Sequence, residues 1–270
     1  MVGKKSRMQR LFNEESGKSL TIAVDHGAAL GPVKGVEKVE EVFSRLDPWA
    51  DAWLMSKGIL KQCFEPDGMT GVVLRATGAI TVAQGFPGGE GLVVSVEEAL
   101  TLGGDALAAT IFIGTTYERD SLLTLARVAE SCERWQMPLV AVLGAGVVHD
   151  RTLDAEFWAL GARVAAEHGA DLVCTYWVEE GFEKVVEGCP VPVLVSGGMR
   201  QGDLEGLLSA VGSALAAGAQ GIVAGPELWQ AKYPEATAEA LAMAVHKGAN
   251  VAEAMDAYRQ AERGASPSVR

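Results

Sequence analysis

The sequence predicts a single-domain parallel (β/α)8 barrel, and three observations support this. Eight short apolar runs recur along the chain, continuous rather than alternating, as in strands buried on both faces. Segments with apolar residues three or four positions apart separate them, which indicates alternating helices. Eight strands in 270 residues suit one such barrel. The alternative is an open doubly wound sheet, but residues 27–31, after the first run, lack the G-x-G-x-x-G spacing.

The predicted elements follow the chain in order. The eight strands are 20–24, 52–55, 71–74, 106–113, 138–143, 172–174, 192–195 and 221–224. The amphipathic segments predict helices over 117–135, 154–169, 202–217 and 250–263. Several of them end at a glycine before the next strand, as at Gly169 and Gly218. We expect residues 1–264 to form the barrel with its last helix, and 265–270 to be a flexible tail.

Composition excludes several classes of protein. Lys and Arg number 23 against 35 Asp and Glu, a net charge of −12. A negative surface disfavours nucleic acids and anionic membranes as partners. No apolar stretch approaches the ~20 residues of a membrane helix, and residues 1–5 begin no signal peptide. Four cysteines without C-x-x-C spacing and four unpaired histidines predict a cytoplasmic protein with reduced thiols, no metal site and no cofactor.

Polar side chains follow the first three strands, where a barrel carries its chemistry. Asp25 is either a general acid or base or a cap for a neighbouring loop. His26 beside it is a candidate substrate contact. Lys57 is either a solvated surface residue or an amine for proton transfer or Schiff-base chemistry. Arg75 either binds an anionic substrate group or forms an ion pair with Asp25.

The sixth strand carries Cys174 and Tyr176. Cys174 is either a small core residue or a nucleophile, and a nucleophile would need a cation to lower its pKa. Lys57 is the cation that we expect to supply this charge. Tyr176 is a candidate substrate contact on the same strand.

Glycine-containing turns follow the last two strands. Barrels often bind phosphate there through backbone N–H groups. The alternative is a pair of tight turns with no ligand. The candidate substrate-binding residues of these turns are Ser196, Gly197, Gly198, Gly225 and Pro226.

Several motifs occur together in the order of a known family. They are Val24-Asp25-His26-Gly27, Ser56-Lys57-Gly58, Leu74-Arg75-Ala76-Thr77-Gly78 and the long stretch 169–198. On these motifs the chain resembles the class I aldolase family of archaeal-type fructose-bisphosphate aldolases, within the deoxyribose-phosphate aldolase-like superfamily. It most resembles the thiolase-like branch that processes phosphorylated autoinducer-2. The resemblance covers residues 10–260 and implies a TIM barrel, phosphorylated keto substrates and a homo-oligomer, usually a decamer.

Two departures from the family pattern bear on chemistry. The family's Schiff-base lysine lies in a Val-Lys-Thr motif, which reads Val173-Cys174-Thr175 here. The family's strand-eight phosphate motif, Gly-Arg-Asn, reads Gly225-Pro226-Glu227. Sugar aldolases of this family also tend to have a tyrosine near the end of strand five, and residues 143–146 contain none. The cysteine is either natural divergence or an engineered substitution, and the second departure favours divergence.

The resemblance and its departures together predict the function. We expect a divergent carbon–carbon lyase or acyl transferase that acts on a keto substrate, with or without a phosphate, and does not use the usual Schiff-base lysine. Asp25, Lys57 and Cys174 are the expected catalytic residues, and the small-molecule substrate is the expected partner. The alternative is a catalytically silent binding or scaffold protein that keeps the barrel and the oligomer.

Overall fold

Eight parallel strands close into a barrel in the computed structural model, which describes residues 2–66, 68–84, 89–144, 154–197 and 203–264. The predicted fold is therefore confirmed. The strands are β1 (Ser19–Ala23), β2 (Ala52–Met55), β3 (Gly71–Arg75), β4 (Ala106–Ile111), β5 (Leu139–Leu143), β6 (Leu172–Tyr176), β7 (Val193–Gly197) and β8 (Gly221–Ala224). The predicted tail 265–270 lies outside the described residues.

Twelve helices are described, and most of them surround the barrel. They are α1 (Val2–Gln9), α2 (Gly27–Leu30), α3 (Val39–Leu46), α4 (Lys57–Cys63), α5 (Val96–Thr101), α6 (Glu118–Trp135), α7 (Ala155–Glu167), α8 (Phe182–Gly188), α9 (Leu204–Ala216), α10 (Pro226–Trp229), α11 (Pro234–Lys247) and α12 (Val251–Glu262). Short 3₁₀ turns span Asp47–Trp49 and Val82–Gln84. A two-stranded antiparallel ribbon, Thr77–Gly78 with Gly91–Leu92, lies in the connection between β3 and β4.

Strand boundaries differ from the prediction mainly at the carboxyl ends. Strand β6 continues past Cys174 to Tyr176, which pairs with Gly197 of β7 after a register shift at Thr175 and Tyr176. Strand β4 ends at Ile111 rather than at residue 113. The extension of β6 places Cys174 inside the strand and Tyr176 at its end.

The barrel interior is a compact apolar cluster of mostly small side chains. Alanines and other modest side chains face inward, whereas larger ones such as Trp53 and Ile22 face the surrounding helices. Leu11 is 1% exposed and packs into the amino-terminal end of this interior, together with the partly buried Met8 and Phe12. The segment after α1 therefore fills the amino-terminal end of the barrel.

Three aspartates fasten neighbouring strands at that end. Each one directly precedes an even-numbered strand, and its carboxylate accepts a backbone N–H from the odd-numbered strand before it. The three bonds are Leu20 N–H to Asp51 (2.6 Å), Val72 N–H to Asp105 (3.1 Å) and Leu139 N–H to Asp171 (2.9 Å). Each aspartate also has a basic neighbour: His246 at 3.3 Å, Arg10 at 2.8 Å and Lys4 at 3.0 Å, respectively. We call these contacts the aspartate clamps.

Most of the tryptophans belong to the core. Four of the six, Trp53, Trp158, Trp177 and Trp229, are at most 6% exposed. These four therefore give no support to an oligomer interface; Trp135 is 44% exposed, and the homo-oligomer stays a prediction. Among the described residues, no helix is both long and apolar enough to cross a membrane.

The aspartate clamps predict a measurable loss of stability. Asp105 is 4% exposed, so Asp105→Ala leaves the buried Val72 N–H without its acceptor. We expect the free energy of unfolding in urea to fall by about 1–3 kcal/mol. Arg10→Ala is the comparison variant because it removes the half-exposed ion-pair partner and keeps the acceptor of the Val72 N–H, so its expected cost is smaller than that of Asp105→Ala. Equal losses in the two variants would contradict the claim that the Asp105 bond to the Val72 N–H stabilises the barrel.

Candidate functional site

A cavity of about 300 Å³ opens at the carboxyl end of the barrel. Its lining brings together eight of the residues predicted from the sequence: Asp25, His26, Arg75, Cys174, Tyr176, Ser196, Gly225 and Pro226. Three further polar residues in the lining were not predicted as site residues: Glu90, Thr110 and Glu227. The rest of the wall is apolar and includes Leu54, Phe112 and Val142. A small molecule with a few polar groups fits a cavity of this kind.

Arg75 crosses one side of the cavity and joins three strands. Its Nε and one terminal nitrogen both lie on Asp25 Oδ2, at 2.7 and 2.6 Å. Its other terminal nitrogen donates to Thr110 Oγ1 at 2.7 Å. Asp25 follows β1, Arg75 ends β3 and Thr110 lies in β4, so one guanidinium connects all three. The ion pair with Asp25 is the alternative that the sequence left open.

The charge of Arg75 is secured by its neighbours. Burial disfavours the cation, but the Asp25 and Glu90 carboxylates outweigh this and hold the pKa of Arg75 above its usual range. A guanidinium has five N–H groups, and three of them are accounted for by Asp25 and Thr110. Two N–H groups therefore remain for an oxygen atom of a substrate, as far as the described residues show.

His26 lies at the mouth between Asp25 and β8. Its Nδ1 is 3.6 Å from Asp25 Oδ1 and makes no hydrogen bond with any described residue. The edge of its ring meets Trp229, with ring centroids 5.5 Å apart. The Trp229 indole N–H in turn donates to Ala23 O at 3.0 Å. This bond to β1 fixes the tryptophan that contacts the imidazole. This arrangement suits an imidazole that accepts or donates a proton beside a carboxylate.

Cys174 is a buried wall residue next to the ion pair. It is 2% exposed, and burial raises the pKa of its thiol to about 12. Arg75 lowers that pKa and Asp25 raises it, so the two charges act against each other at this sulfur. The cation near Cys174 is therefore Arg75 and not the expected Lys57. A thiol in this state is protonated at neutral pH, which favours the reading of Cys174 as a wall residue over that of a nucleophile.

Lys57 does not enter the cavity, and the expectation that it shares one pocket with Asp25 and Cys174 is wrong. It begins α4 at the same end of the barrel, but its ammonium donates to Val93 O (2.9 Å) and Glu98 (3.1 Å). Both acceptors lie beyond β3, in the segment that leads into α5 and in α5 itself. The long side chain of Lys57 therefore extends towards these two acceptors and not into the cavity.

The ends of β6 and β7 are fitted closely to each other. Tyr176 stacks on Trp158 with ring centroids 4.7 Å apart, and a Cβ on Gly197 would come within 2.7 Å of the Tyr176 ring. Gly197 is therefore required for packing and is not part of the cavity lining. Ser196 lines the cavity, and its hydroxyl donates to Thr175 O at 3.4 Å. Gly198 lies outside the described residues.

The side chain of Glu227 folds back onto the turn that follows β8. The Gly225 N–H donates to Glu227 Oε1 at 2.9 Å. Pro226 has no N–H to offer. The backbone N–H groups of Leu228 and Trp229 return to Gly225 O at 2.9 and 3.2 Å within α10. The turn that was expected to bind a phosphate through its backbone thus uses most of its donors internally.

The residues that the sequence missed had weak signals. Thr110 is the one polar residue of an otherwise apolar strand. Its hydroxyl group was the only signal in the sequence that could have identified it as a site residue. Glu90 lies in the long connection after β3, whose path the sequence does not fix. Glu227 was noted as a departure from the family, but its bond to Gly225 depends on the geometry of a four-residue helix.

Known proteins resemble this chain over most of its length. Residues 19–231 match the model of the DeoC/LacD family of aldolases. The chain is 34% identical over 256 residues to a 3-hydroxy-5-phosphonooxypentane-2,4-dione thiolase of Photorhabdus laumondii, covering 95% of this chain and 87% of that protein. The thiolase of that name from Escherichia coli K12 gives the same figures.

Solved structures of aldolases share the fold. An archaeal fructose 1,6-bisphosphate aldolase is 30% identical, with a TM-score of 0.79 over 91% of this chain and 100% of that one. Another archaeal structure of that enzyme shows its catalytic lysine covalently bound to the carbinolamine intermediate of the substrate. It is 30% identical, with a TM-score of 0.80, over 90% of this chain and 99% of that one.

The opposed charges around Cys174 predict opposite effects of two variants. Asp25→Asn leaves Arg75 uncompensated, lowers the pKa of the Cys174 thiol and speeds its alkylation by iodoacetamide at pH 8.5. A fall of one in the pKa raises the small thiolate fraction about tenfold. Arg75→Met removes the cation and slows the same reaction. Peptide mass spectrometry gives both rates.

Cys63, which is partly exposed and does not line the cavity, is the internal reference in each sample. Its rate should stay the same in both variants. A Cys174 rate that responds in the same direction to both substitutions would contradict the electrostatic account.

Proposed function

Because this chain belongs to the DeoC/LacD aldolase family, we propose that it is an enzyme that breaks or forms a carbon–carbon bond beside a carbonyl group without a Schiff base. The observation that carries the proposal is the partly buried Arg75 guanidinium, held by Asp25 and Thr110 beside Cys174. The substrate is a small keto compound that fits a cavity of about 300 Å³.

The absence of an amine at position 174 is the first support. Cys174 stands in the motif where the family's Schiff-base lysine is expected, and a thiol forms no iminium. No lysine is among the described residues that line the cavity, since the Lys57 ammonium is bound by Val93 O and Glu98. Another group must therefore carry the charge that develops on the carbonyl oxygen.

Arg75 is placed to carry that charge. In the proposed cleavage, the two remaining N–H groups of Arg75 donate to the substrate's carbonyl oxygen. The imidazole of His26 takes the proton of the β-hydroxyl, the carbon–carbon bond breaks, and an aldehyde leaves. The electron pair of that bond moves onto the carbonyl oxygen as an enolate beside the guanidinium, and the imidazolium then returns its proton to carbon.

Asp25 has two roles in this scheme. Its Oδ2 fixes the guanidinium from the side away from the substrate, and its Oδ1 lies near His26 Nδ1, where it stabilises the imidazolium. Asp25 and His26 would thus act together, with the imidazole transferring the proton and the carboxylate orienting it. Tyr176 and Ser196 line the same space and provide further polar contacts to substrate hydroxyl groups.

An acyl-transfer version of the reaction uses the same enolate chemistry. The relatives named thiolases make such a reaction a natural candidate. A Cys174 acyl intermediate has little support, because burial raises the pKa of that thiol to about 12. In an acyl transfer the thiol that accepts the acyl group would therefore be a second substrate.

The second candidate is a binding protein without catalysis. It is favoured by the same missing amine, and by the fact that Asp25 and Thr110 already occupy three Arg75 N–H groups. Turnover separates the two candidates, since only the lyase releases an aldehyde from a β-hydroxyketone.

Borohydride trapping tests the proposal. Wild-type protein incubated with 3-hydroxy-5-phosphonooxypentane-2,4-dione, with an unphosphorylated β-hydroxyketone such as fructose, or with fructose 1,6-bisphosphate should gain no mass on reduction. Release of an aldehyde from the unphosphorylated β-hydroxyketone should nevertheless be measurable, whereas fructose 1,6-bisphosphate should be cleaved weakly or not at all. The pentanedione has no β-hydroxyl group, so its carbon–carbon bond should break only when a thiol is added as the second substrate. A borohydride-dependent adduct on any lysine would overturn the proposal.

Two variants complete the experiment. Cys174→Ser should keep turnover within a few-fold, because the thiol is a wall residue. Arg75→Met should lower kcat by about 10²–10³, the usual effect of losing an oxyanion donor. The double variant Cys174→Lys with Pro226→Arg is the positive control for trapping. No turnover by the wild type on any hydroxyketone would favour the binding protein.

A further inference from the structure

We infer that the end of the cavity at β8 selects substrates that end in a hydroxyl or ammonium group, and that Glu227 makes it reject phosphate esters. The inference rests on the proposed function, because it takes this cavity as the substrate site. It concerns the specificity of that site, and the known relatives are named for a phosphorylated substrate.

The backbone at this end has little to offer an anion. In barrels of this type, phosphate is commonly bound by backbone N–H groups after strands seven and eight. Here the Gly225 N–H is bound by Glu227 Oε1, and Pro226 has none. The N–H groups of Leu228 and Trp229 are bound within α10. Of the first five backbone positions after β8, only Glu227 itself retains an N–H that is not accounted for.

The described side chains of the cavity as a whole carry more acidic than basic groups, and Glu227 is the acidic residue at the β8 end. The described charged residues of the cavity are Asp25, Arg75, Glu90 and Glu227, beside the titratable His26. Asp25 neutralises the one cation, Arg75, through two contacts of 2.6 and 2.7 Å. Glu90 and Glu227 then leave the described part of the cavity with an excess of negative charge. A phosphate dianion at the β8 end would meet the Glu227 carboxylate, and among the described cavity residues the only cation is Arg75, which is already paired with Asp25.

Two acceptors converge beside Gly225. The point that a Cβ on Gly225 would occupy lies 3.8 Å from Glu227 Oε2 and 3.4 Å from His26 Nε2. A neutral imidazole that directs Nδ1–H towards Asp25 presents Nε2 as an acceptor. Glu227 Oε2 can accept a hydrogen bond from a donor placed there, while His26 Nε2 borders the same position and remains the base for the β-hydroxyl. A substrate hydroxyl or ammonium group meets this requirement and a phosphate oxygen does not.

The absence of a side chain at Gly225 keeps this position open. A Cβ there would come within 3.1 Å of His26 Cε1 and would fill the space between the two acceptors. The combination of glycine, proline and glutamate therefore builds a small donor-binding subsite at the end of β8.

Three ligands that differ only at one end test the inference. Dihydroxyacetone, aminohydroxyacetone and dihydroxyacetone phosphate share a three-carbon ketone and end in a hydroxyl, an ammonium and a phosphate group. Their dissociation constants for the purified protein can be measured by NMR line broadening without any turnover. We expect the first two to bind wild-type protein at least about tenfold more tightly than the phosphate ester.

Three variants identify the residue responsible. Glu227→Gln should reduce the discrimination against the phosphate ester by at least about fivefold. Glu227→Asp keeps the charge and should keep the preference. Glu187→Gln removes the same charge from an exposed position on α8 and should change nothing. Circular dichroism and thermal unfolding confirm that each variant is folded before binding is compared.

The outcomes separate this inference from the proposed function. Tighter wild-type binding of the phosphate ester, no binding of any of the three ligands, or an unchanged preference in Glu227→Gln would overturn the inference. Selective binding of the hydroxyl and ammonium ligands without turnover of any hydroxyketone would refute the lyase and leave the subsite standing. Turnover with a preference for phosphate esters would do the reverse.

Discussion

The ion pair between Arg75 and Asp25 is the interaction on which the candidate site depends. Partial burial of a guanidinium in the barrel mouth costs free energy unless a carboxylate compensates its charge, and Asp25 supplies that carboxylate from the end of β1. Strand β2 lies between β1 and β3, so the pair bridges two strand ends that are not direct neighbours. Thr110 extends the same contact into β4. One side chain thus sets the distance between three strand ends and the direction in which its remaining N–H groups point.

The chemistry follows from what this pair does to its surroundings. The two charges oppose each other at Cys174, so the thiol gains little from the nearby cation and stays protonated. Lys57, the amine that the sequence placed at the end of a barrel strand, is bound by groups outside the cavity. A covalent mechanism therefore has no suitable nucleophile among the described cavity residues. Enolate chemistry needs charge stabilisation and proton transfer. A fixed guanidinium beside an imidazole and a carboxylate can provide both.

The sequence predicted the barrel and most of the site because both depend on position within strands. Continuous apolar runs identify buried strands, and the residues that follow them must lie at one end of a parallel barrel, which correctly grouped Asp25, Arg75 and Cys174. The direction of a long side chain is a different matter. Lys57 has acceptors in a segment whose path depends on tertiary packing, so its sequence position could not reveal that it turns away. Glu227 likewise acts through a hydrogen bond to its own turn, which no strand pattern encodes.

The oxygen of the substrate's carbonyl group gives the most direct test of the central claim, which is carbon–carbon cleavage without an iminium. An iminium mechanism must exchange that oxygen with solvent in every turnover, whereas a guanidinium-stabilised enolate keeps it. The measurement is the mass of the ketone product formed from a hydroxyketone labelled with ¹⁸O at the carbonyl, corrected for spontaneous exchange. The account predicts that the product retains the label, and loss of the label in step with turnover would contradict it.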